Sequence, residues 1–149
     1  MSIRQVDISG KEPVLRVATA EGRIRLRAET VRRIREGRIE KGDPVALAKV
    51  AAILAAKQTP SLLPLCHPLR LEHTQVDVGL EEEVVSVKVT VTAHERTGVE
   101  MEALTATCIA LLNIWDAVKA YEKDEQGQYP WTAIEGVRVV RKEKGHVGA

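Results

Sequence analysis

An aspartate and a lysine lie one helical turn apart near the end of the longest helical pattern in the sequence. Asp116 and Lys119 are three positions apart, which places them about 60° from each other on a helix and within reach of contact. Lys119 falls near the edge of the apolar stripe, so its amine is partly withdrawn from water and can donate or accept a proton near neutrality. The same spacing is typical of an ordinary surface ion pair, and the local pattern favours that simpler interpretation.

Two acidic residues stand at the other end of this helical pattern. Glu102 shares the stripe of Asp116 but lies fourteen positions away, or about 21 Å along the axis. Both can touch one ligand only if the ligand is long or if two chains each contribute one end to a shared site. Glu100 and Glu102 also fit a simpler interpretation, because the helix dipole favours acids in the first turn.

A cysteine and a histidine are adjacent in residues 65–68, Leu-Cys-His-Pro. Cys66 and His67 are poor zinc ligands, since neighbours seldom bind one ion together and no spaced partner pair exists. Nothing in the sequence indicates the lowered thiol pKa that a cysteine nucleophile requires. A histidine on a proline-braced loop suits proton transfer or the binding of a charged ligand, and a structural histidine fits equally well.

Basic residues are concentrated in the first 41 positions, which hold eleven Lys and Arg against six Asp and Glu. Lys41 directly precedes a helix start with Asp43 as N-cap and Pro44 at the first helical position. A helix N-terminus beside a lysine can receive a phosphate. No phosphate-binding Walker loop and no glycine-rich dinucleotide motif is present, and many of these arginines are equally explained as solvated faces of strands and a helix.

Length and composition restrict the class of protein. The chain has 149 residues, 44% hydrophobic and 29% charged, which suits one globular domain over residues 1–149. The net charge of +1 predicts no general attraction to nucleic acid or to an anionic membrane. Two cysteines are too few for a disulfide framework, the longest apolar run has seven residues, and the first residues do not read as a signal peptide. We therefore expect a cytoplasmic protein.

The periodicity predicts an α+β domain with an antiparallel sheet and helices packed on one face. The predicted elements are two short strands in 14–28 with a turn at Glu21-Gly22, helices at 29–37 and 43–57, an irregular three-proline loop at 59–68, a hairpin of 71–80 and 84–93, a long helix at 100–123, a last strand at 134–141 and a mobile tail at 142–149. The long helix is expected to bury one stripe made of Met101, Leu104, Cys108, Leu111, Leu112, Trp115 and Val118.

Five ordered segments together resemble the MoaC family of cyclic pyranopterin monophosphate synthases. The resemblance covers most of the chain, from about Val6 to Val139, and two of its blocks are long and correctly separated. The segments are Lys41-Gly-Asp, Ala-Ala-Lys at 55–57, Leu-Pro-Leu-Cys-His-Pro-Leu at 63–69, Thr-Gly-Val-Glu-Met-Glu-Ala-Leu-Thr-Ala at 97–106 and Asp-x-x-Lys-Ala at 116–120.

This resemblance implies a ferredoxin-like fold and a step of molybdenum cofactor biosynthesis. The family is a lyase that converts a cyclic GTP derivative, 3′,8-cyclo-7,8-dihydroguanosine 5′-triphosphate, into cyclic pyranopterin monophosphate and pyrophosphate. It also implies a homohexamer, a trimer of dimers, with active sites at subunit interfaces. No metal site and no cofactor is implied, apart from Mg²⁺ that can accompany the substrate phosphates.

The resemblance also assigns residues. Asp116 matches the catalytic aspartate, Lys119 its lysine partner and Lys41 an essential basic residue, while His67 is expected to assist them. The segments expected to bind substrate contain Leu65, Cys66, His67, Met101 and Glu102, and the positions of Lys57, Arg16 and Glu100 match as well. One departure concerns the C-terminus: Lys142 is kept, but Glu143 and His146 replace small or basic residues of the family.

Two other classes of function remain as alternatives. A non-catalytic nucleotide- or RNA-binding module would use the basic first 41 residues, although the near-neutral charge and the scarcity of aromatic residues count against it. A metal-dependent phosphohydrolase would be built on Cys66, His67 and His73. We expect a small-molecule enzyme with neither nucleic acid nor membrane as a partner.

Overall fold

Residues 1–145 are described in a computed structural model, and they form seven elements. The predicted tail residues 146–149 lie outside the described part. The elements are β1 (Val14–Arg25), α1 (Ala28–Arg35), α2 (Pro44–Leu62), β2 (His73–Leu80), β3 (Val84–Glu95), α3 (Glu100–Glu122) and β4 (Ala133–Gly145).

The four strands form one antiparallel sheet in the order β2-β3-β1-β4. The helices α2 and α3 pack against each other and against the sheet, and a single core of aliphatic residues fills the space between these layers. The predicted α+β, ferredoxin-like class is therefore confirmed. The open sheet face carries alternating polar positions, as expected for an antiparallel sheet with one wet side.

The first strand is continuous, and the predicted turn at Glu21-Gly22 is wrong. β1 runs through both residues and pairs with β3 along its whole length. Gly22 has a packing role instead: an added Cβ would lie 2.8 Å from Leu111 Cδ1 and 2.9 Å from Val137 Cγ2. The glycine thus lets α3 approach the sheet closely, and the register with β4 shifts next to it.

The second helix is longer than predicted, because α2 continues through Pro60 to Leu62. A proline near the end of a helix removes only one backbone hydrogen bond. The last turn is closed by Leu63 N, which donates to Thr59 O at 2.9 Å, and Thr59 Oγ1 donates to Ala55 O at 3.0 Å. Only Pro64 and Pro68 remain in the loop that was expected to hold three prolines.

The buried stripe of α3 differs from the predicted one. Small residues, including Ala103, Ala106 and Ala110, face the sheet, and Leu111 and Val118 are the two predicted positions that are fully buried. Predicted core residues Met101 and Leu112 are exposed, and the others are partly buried. Close packing against the sheet leaves room for alanine beneath the helix, which displaces the larger side chains to its flanks and outer side.

The helix α3 is long and apolar enough, by composition alone, to cross a membrane. Half of its most apolar window is buried inside this fold, where it contacts α2 and three strands, so it is the core helix of the domain. The last strand β4 extends to Gly145, four residues beyond its predicted end, because residues 142–145 pair with β1. That part of the expected mobile tail is therefore a strand.

Candidate active site

Two lysines from different parts of the chain converge on one aspartate near the C-terminal end of α3. Lys119 Nζ lies 3.4 Å from Asp116 Oδ1, and Lys41 Nζ lies 3.4 Å from the same oxygen. Lys41 Nζ also donates to the backbone carbonyl of Asp116 at 3.1 Å. We call Lys41, Asp116 and Lys119 the lysine–aspartate cluster, and all three side chains remain open to solvent.

The electrostatics of this cluster keep the aspartate ionised. The hydrogen bond from Lys119, followed by the hydrogen bond and charge of Lys41, lowers the pKa of Asp116 below its usual value. A carboxylate between two amines is a poor proton donor at neutral pH. It is suited to orient the two ammonium groups, and an ammonium group is chemically able to donate a proton or to pair with a phosphate.

The loop that carries Lys41 joins α1 to α2 over residues 36–43. Gly37 and Gly42 adopt positive φ angles of 69° and 111°, which glycine allows without steric cost. The loop ends as predicted at the helix start of α2, where Asp43 Oδ1 accepts from Val45 N at 2.9 Å. Lys41 therefore stands one residue before the Gly42 turn and two before the N-cap.

The second group of predicted residues lines a cavity at the opposite end of α3, which we call the Cys66–Glu102 pocket. Its volume is about 250 Å³. The lining residues are Val6, Ile8, Lys11, Leu65, Cys66, His67, Leu69, Thr97, Gly98, Glu100, Met101 and Glu102. Most of the predicted substrate-binding side chains thus share one cavity. Residues 1–13, which precede β1 and which we call the N-terminal arm, also line it, although they contain no recognisable motif.

His67 is held in this pocket by the backbone of the N-terminal arm. Its Nε2 lies 2.8 Å from the carbonyl oxygen of Val6. A carbonyl can only accept, so Nε2 carries the proton of this hydrogen bond. Nδ1 is consequently the ring atom left for a ligand or for proton transfer.

Two glutamates enter the pocket from the first turn of α3. Glu102 is almost fully buried, and burial followed by the charge of Glu100 raises its pKa. Glu100 Oε1 lies 3.4 Å from Lys142 Nζ, whereas its buried Oε2 has no hydrogen-bond partner among residues 1–145. Gly98 allows this arrangement, because a side chain there would collide with the Glu100 carboxylate. The pocket thus holds polar groups that a ligand can satisfy.

The cysteine of the pocket is not activated as a nucleophile. Burial, then the charges of Glu102 and Glu100, raises the pKa of the Cys66 thiol, so the thiolate is scarce near neutrality. No three His, Cys, Asp or Glu side chains within residues 1–145 are arranged to hold a metal ion. The phosphohydrolase built on Cys66, His67 and His73 is therefore without structural support.

Arg16 and Lys57 lie outside these two groups. Arg16 is buried in β1, where Nε donates to Glu95 O at 3.3 Å and Nη2 donates to Arg96 O at 3.4 Å. Lys57 is exposed on α2. A larger cavity of about 550 Å³ lies on the sheet beside Glu21, Arg23 and Lys88, and it contains no residue predicted to do chemistry.

Apart from Arg16 and Lys57, the structure therefore gathers the predicted residues into two groups at the two ends of one helix. The lysine–aspartate cluster and the Cys66–Glu102 pocket are separated along α3 by the fourteen positions between Glu102 and Asp116, about 21 Å. Sequence reasoning missed Lys11, Val6 and Thr97 in the pocket. Lys11 left a signal as a member of the basic N-terminal region, and Thr97 left one as the first residue of the 97–106 segment. The carbonyl of Val6 carries no residue-type signature.

Comparisons with known proteins agree on one family. A sequence profile described as the MoaC family matches residues 5–145. Proteins named "Probable cyclic pyranopterin monophosphate synthase" are similar to this chain in several archaea. The one from Sulfolobus acidocaldarius is 60% identical over 141 residues, covering 95% of this chain and 99% of that protein. The one from Sulfurisphaera tokodaii is 58% identical, covering 93% and 92%, and the one from Pyrococcus abyssi is 54% identical, covering 95% and 89%.

Proposed function

The chain belongs to the MoaC family, and from this premise we propose that it is a cyclic pyranopterin monophosphate synthase, a lyase of molybdenum cofactor biosynthesis. The single observation that carries the proposal is the match over residues 5–145, which includes the lysine–aspartate cluster and the Cys66–Glu102 pocket. The comparisons give no support to the alternative of a nucleotide- or RNA-binding module.

The substrate we propose is 3′,8-cyclo-7,8-dihydroguanosine 5′-triphosphate, and the products are cyclic pyranopterin monophosphate and pyrophosphate. Opening the imidazole ring requires protonation of nitrogen leaving groups. Closing the cyclic phosphate requires a substrate hydroxyl to attack the α-phosphorus while the bond to pyrophosphate breaks. The hydroxyl proton leaves to a base, and cations must neutralise the charge that develops on the phosphates.

The proposed catalytic residues are Asp116, Lys119, Lys41 and His67. Lys119 and Lys41 supply protons and positive charge, because both amines point at the ionised Asp116 and are open to a ligand. Asp116 orients them and does not donate, since its pKa is lowered. His67 has Nδ1 available for a proton while Val6 holds Nε2.

The proposed substrate-binding residues are those of the Cys66–Glu102 pocket together with two basic residues elsewhere. Leu65, Cys66, Met101, Glu102 and Glu100 line the pocket with His67, and its carboxylates and backbone atoms suit the hydrogen-bonding edge of a pterin precursor. Arg16 and Lys57 would act on the phosphates. No resident cofactor is proposed, and Mg²⁺ would accompany the phosphates as part of the substrate.

We further propose that the protein acts as a homohexamer, a trimer of dimers, with each active site shared between subunits. One observation in support is the distance of about 21 Å between the two groups on α3. Another is an apolar groove between α2 and α3, lined by residues such as Leu47, Val50 and Leu54. Apolar patches of this kind are typical of surfaces covered by a partner.

A charge placed in the groove tests this assembly. Leu54→Glu should dissociate the oligomer in sedimentation velocity, because a carboxylate would be buried at an interface without a partner. Lys49→Glu, at an exposed position of the same helix outside the groove lining, is the matched control and should assemble normally. An unchanged sedimentation coefficient for Leu54→Glu would contradict an interface at this groove.

The cytoplasm is the proposed location, and neither nucleic acid nor a membrane is proposed as a partner. The net charge of +1 supports the absence of a nucleic acid partner, since a chain with almost no excess of positive charge has no general attraction to polyanions. The packing of α3 within the core supports the absence of a membrane partner.

The function is tested by following pyrophosphate and pterin product from the purified protein supplied with the proposed substrate. The parent should turn over, and Asp116→Asn should be at least about 100-fold slower while retaining its fold, because the two lysines lose the charge that orients them. Asp77→Asn, at an exposed position of β2, is the matched control. Full activity of Asp116→Asn would remove the cluster from the mechanism, and no product from a folded parent would refute the substrate.

A further inference from the structure

Lys41 lies on an irregular loop, yet its amine must meet Asp116 on a different element. The backbone before it is held by one side chain of α3: Glu40 N donates to the hydroxyl oxygen of Tyr121 at 2.9 Å. Among the hydrogen bonds described for the backbone of residues 36–42, this is the one that comes from a side chain. The amide next to Lys41 is thus fastened to the helix that carries Asp116 and Lys119.

The ring of Tyr121 is itself fixed from two sides. It packs against the hydrophobic core, and the guanidinium of Arg33 in α1 lies 4.7 Å from the ring centroid, a cation–π geometry. Arg33 Nε in turn lies 3.7 Å from Glu29 Oε1 one turn earlier. A hydroxyl on a ring held in this way is an anchor with little rotational freedom.

The loop needs such an anchor because its neighbours leave it adjustable. The buried side chain of Ile39 holds the loop against the core before Lys41. Gly42 follows Lys41 directly with a positive φ of 111°, and a glycine at this position restrains the backbone little. Between Ile39 and the N-cap Asp43 the backbone closes a turn, with Gly42 N donating to Ile39 O at 3.1 Å, and the Tyr121 hydroxyl is the hydrogen bond that fastens this turn to α3. The long lysine side chain then reaches Asp116 without a search over backbone conformations.

We propose that Tyr121 is a positioning residue that holds the 36–43 loop in the conformation in which the Lys41 amine meets Asp116. The proposal rests on the proposed function, for which Lys41 must be in place. Tyr121 touches no reacting group; it acts through the Glu40 amide and therefore through Lys41. Its action is expected to disappear when the Lys41 amine is absent.

The variant Tyr121→Phe removes only the hydroxyl and keeps the ring, its core packing and its contact with Arg33. Amide hydrogen exchange at Glu40 should become faster, which verifies that the bond is lost. The first decisive measurement is the NMR titration of the Asp116 carboxyl group without substrate. Its pKa should rise toward the ordinary value, because Lys41 spends less time beside it, and kcat/KM should fall about five-fold, the effect expected for one neutral hydrogen bond.

The second decisive measurement is a double-mutant cycle with Lys41→Ala. In that background Tyr121→Phe should leave both the Asp116 titration and the residual turnover unchanged. Tyr129→Phe is the matched control, because it removes a hydroxyl from a ring that packs edge-on against Trp115 at 5.1 Å and that lies between α3 and β4, outside the 36–43 loop. It should behave like the parent.

Two results would overturn the proposal. One is an Asp116 titration that Tyr121→Phe leaves unchanged in a folded protein, and the other is an equal shift with and without the Lys41 amine. Neither titration requires turnover. A protein that is inactive on the proposed substrate but shows the expected cycle would refute the function and retain the positioning role.

Discussion

At the scale of single residues, the two groups of candidate site residues hold carboxyl groups in opposite electrostatic environments. Asp116 is exposed and ionised because two lysines stabilise its carboxylate. Glu102 has the opposite environment, since burial raises its pKa. Carboxyl groups pushed in opposite directions are typical of sites that divide acid and base roles. The raised pKa widens the pH range in which Glu102 keeps a proton and can donate a hydrogen bond to a ligand, whereas the ionised Asp116 can only accept one.

The pKa of Glu102 predicts a dependence of stability on pH. A carboxyl group whose pKa is raised in the folded state costs stability once the pH exceeds its unfolded value, about 4.5, because the unfolded chain loses the proton first. The cost grows until the pH passes the folded pKa and is constant above it. Glu102→Gln should therefore melt at a higher temperature than the parent at neutral pH, with the difference vanishing at acid pH.

Calorimetry of both proteins across this pH range, at one protein concentration, checks the prediction. Glu125→Gln, an exposed residue of the loop after α3, is the control and should show no pH-dependent difference. A Glu102→Gln protein that is less stable than the parent at neutral pH would mean that a cation pairs with the Glu102 carboxylate in the assembled protein.

At the scale of elements, the position of α3 over the sheet sets the geometry of both groups of residues. Alanines of α3 face the sheet, and Gly22 of β1 has no side chain that would hold the helix and the sheet apart. The helix therefore lies close to the strands. This position brings the start of α3 next to residues 65–67, which follow α2, and brings Asp116 next to the 36–43 loop. A larger residue at Gly22 should therefore lower the free energy of unfolding through packing alone.

Gly22→Ala is expected to destabilise the fold by about 1–3 kcal/mol, the usual cost of overpacking a core. The added methyl group would lie within 3 Å of side-chain atoms of Leu111 and Val137, so these side chains, or the helix and strand that carry them, must shift. Denaturant unfolding gives the loss as a lower midpoint. Gly10→Ala, where nothing lies within 4 Å, is the control and should stay within about 0.5 kcal/mol of the parent. Equal stability of the two variants would contradict the close approach.

A buried carboxylate joins the end of α3 to two other parts of the chain, the start of α1 and the segment before β4. Glu122 at the end of α3 is fully buried and accepts hydrogen bonds from Arg27 N at 3.0 Å, from Thr132 Oγ1 at 2.6 Å and from the hydroxyl of Thr30. It therefore caps the start of α1 and ties the segment before β4 to the same point. Through α1 this junction also supports Arg33, which holds Tyr121.

At the scale of the whole molecule, one chain presents the lysine–aspartate cluster and the Cys66–Glu102 pocket at opposite ends of α3. A ligand of ordinary size cannot bridge about 21 Å, whereas a neighbouring subunit can bring its Cys66–Glu102 pocket to the lysine–aspartate cluster. A symmetric oligomer repeats such a contact at every equivalent interface. The proposed hexamer would therefore bring the two groups of residues together into one site.

Mixed oligomers test this division directly. Asp116→Asn disables one half-site and His67→Ala the other, so each variant alone should be inactive. If each site takes one half from each of two chains, reassembly of the two variants in equal amounts should restore about a quarter of the parent activity, since random pairing leaves both halves intact at that frequency. The readout is turnover after dissociation and reassembly, and parent protein treated in the same way is the control. No recovery, from proteins shown to have exchanged subunits, would place both halves within one chain.

The sequence was informative where local patterns determine structure. The helix start at Asp43-Pro44, the β2–β3 hairpin and the length of α3 follow from capping, alternation and periodicity, and the structure confirms them. The contact of Asp116 with Lys119 follows from helical spacing and is present. The predictions at Gly22 and Pro60 were wrong because glycine usually marks a turn and proline usually ends a helix. The sequence does not show that α3 packs on Gly22 or that the last turn of α2 includes Pro60.

What the sequence determined by itself is the α+β class, the family and the residue types available for chemistry, because these depend on neighbours along the chain and on ordered motifs. Only the tertiary structure decided which face of α3 is buried and that Lys41 contacts Asp116, 75 positions later in the sequence. It also decided that the Val6 carbonyl binds His67 and that the Tyr121 hydroxyl binds the loop before Lys41. The physical reason is that each of these depends on distances between elements far apart in sequence, which are set by how closely α3 packs on the sheet, and no local pattern records that packing.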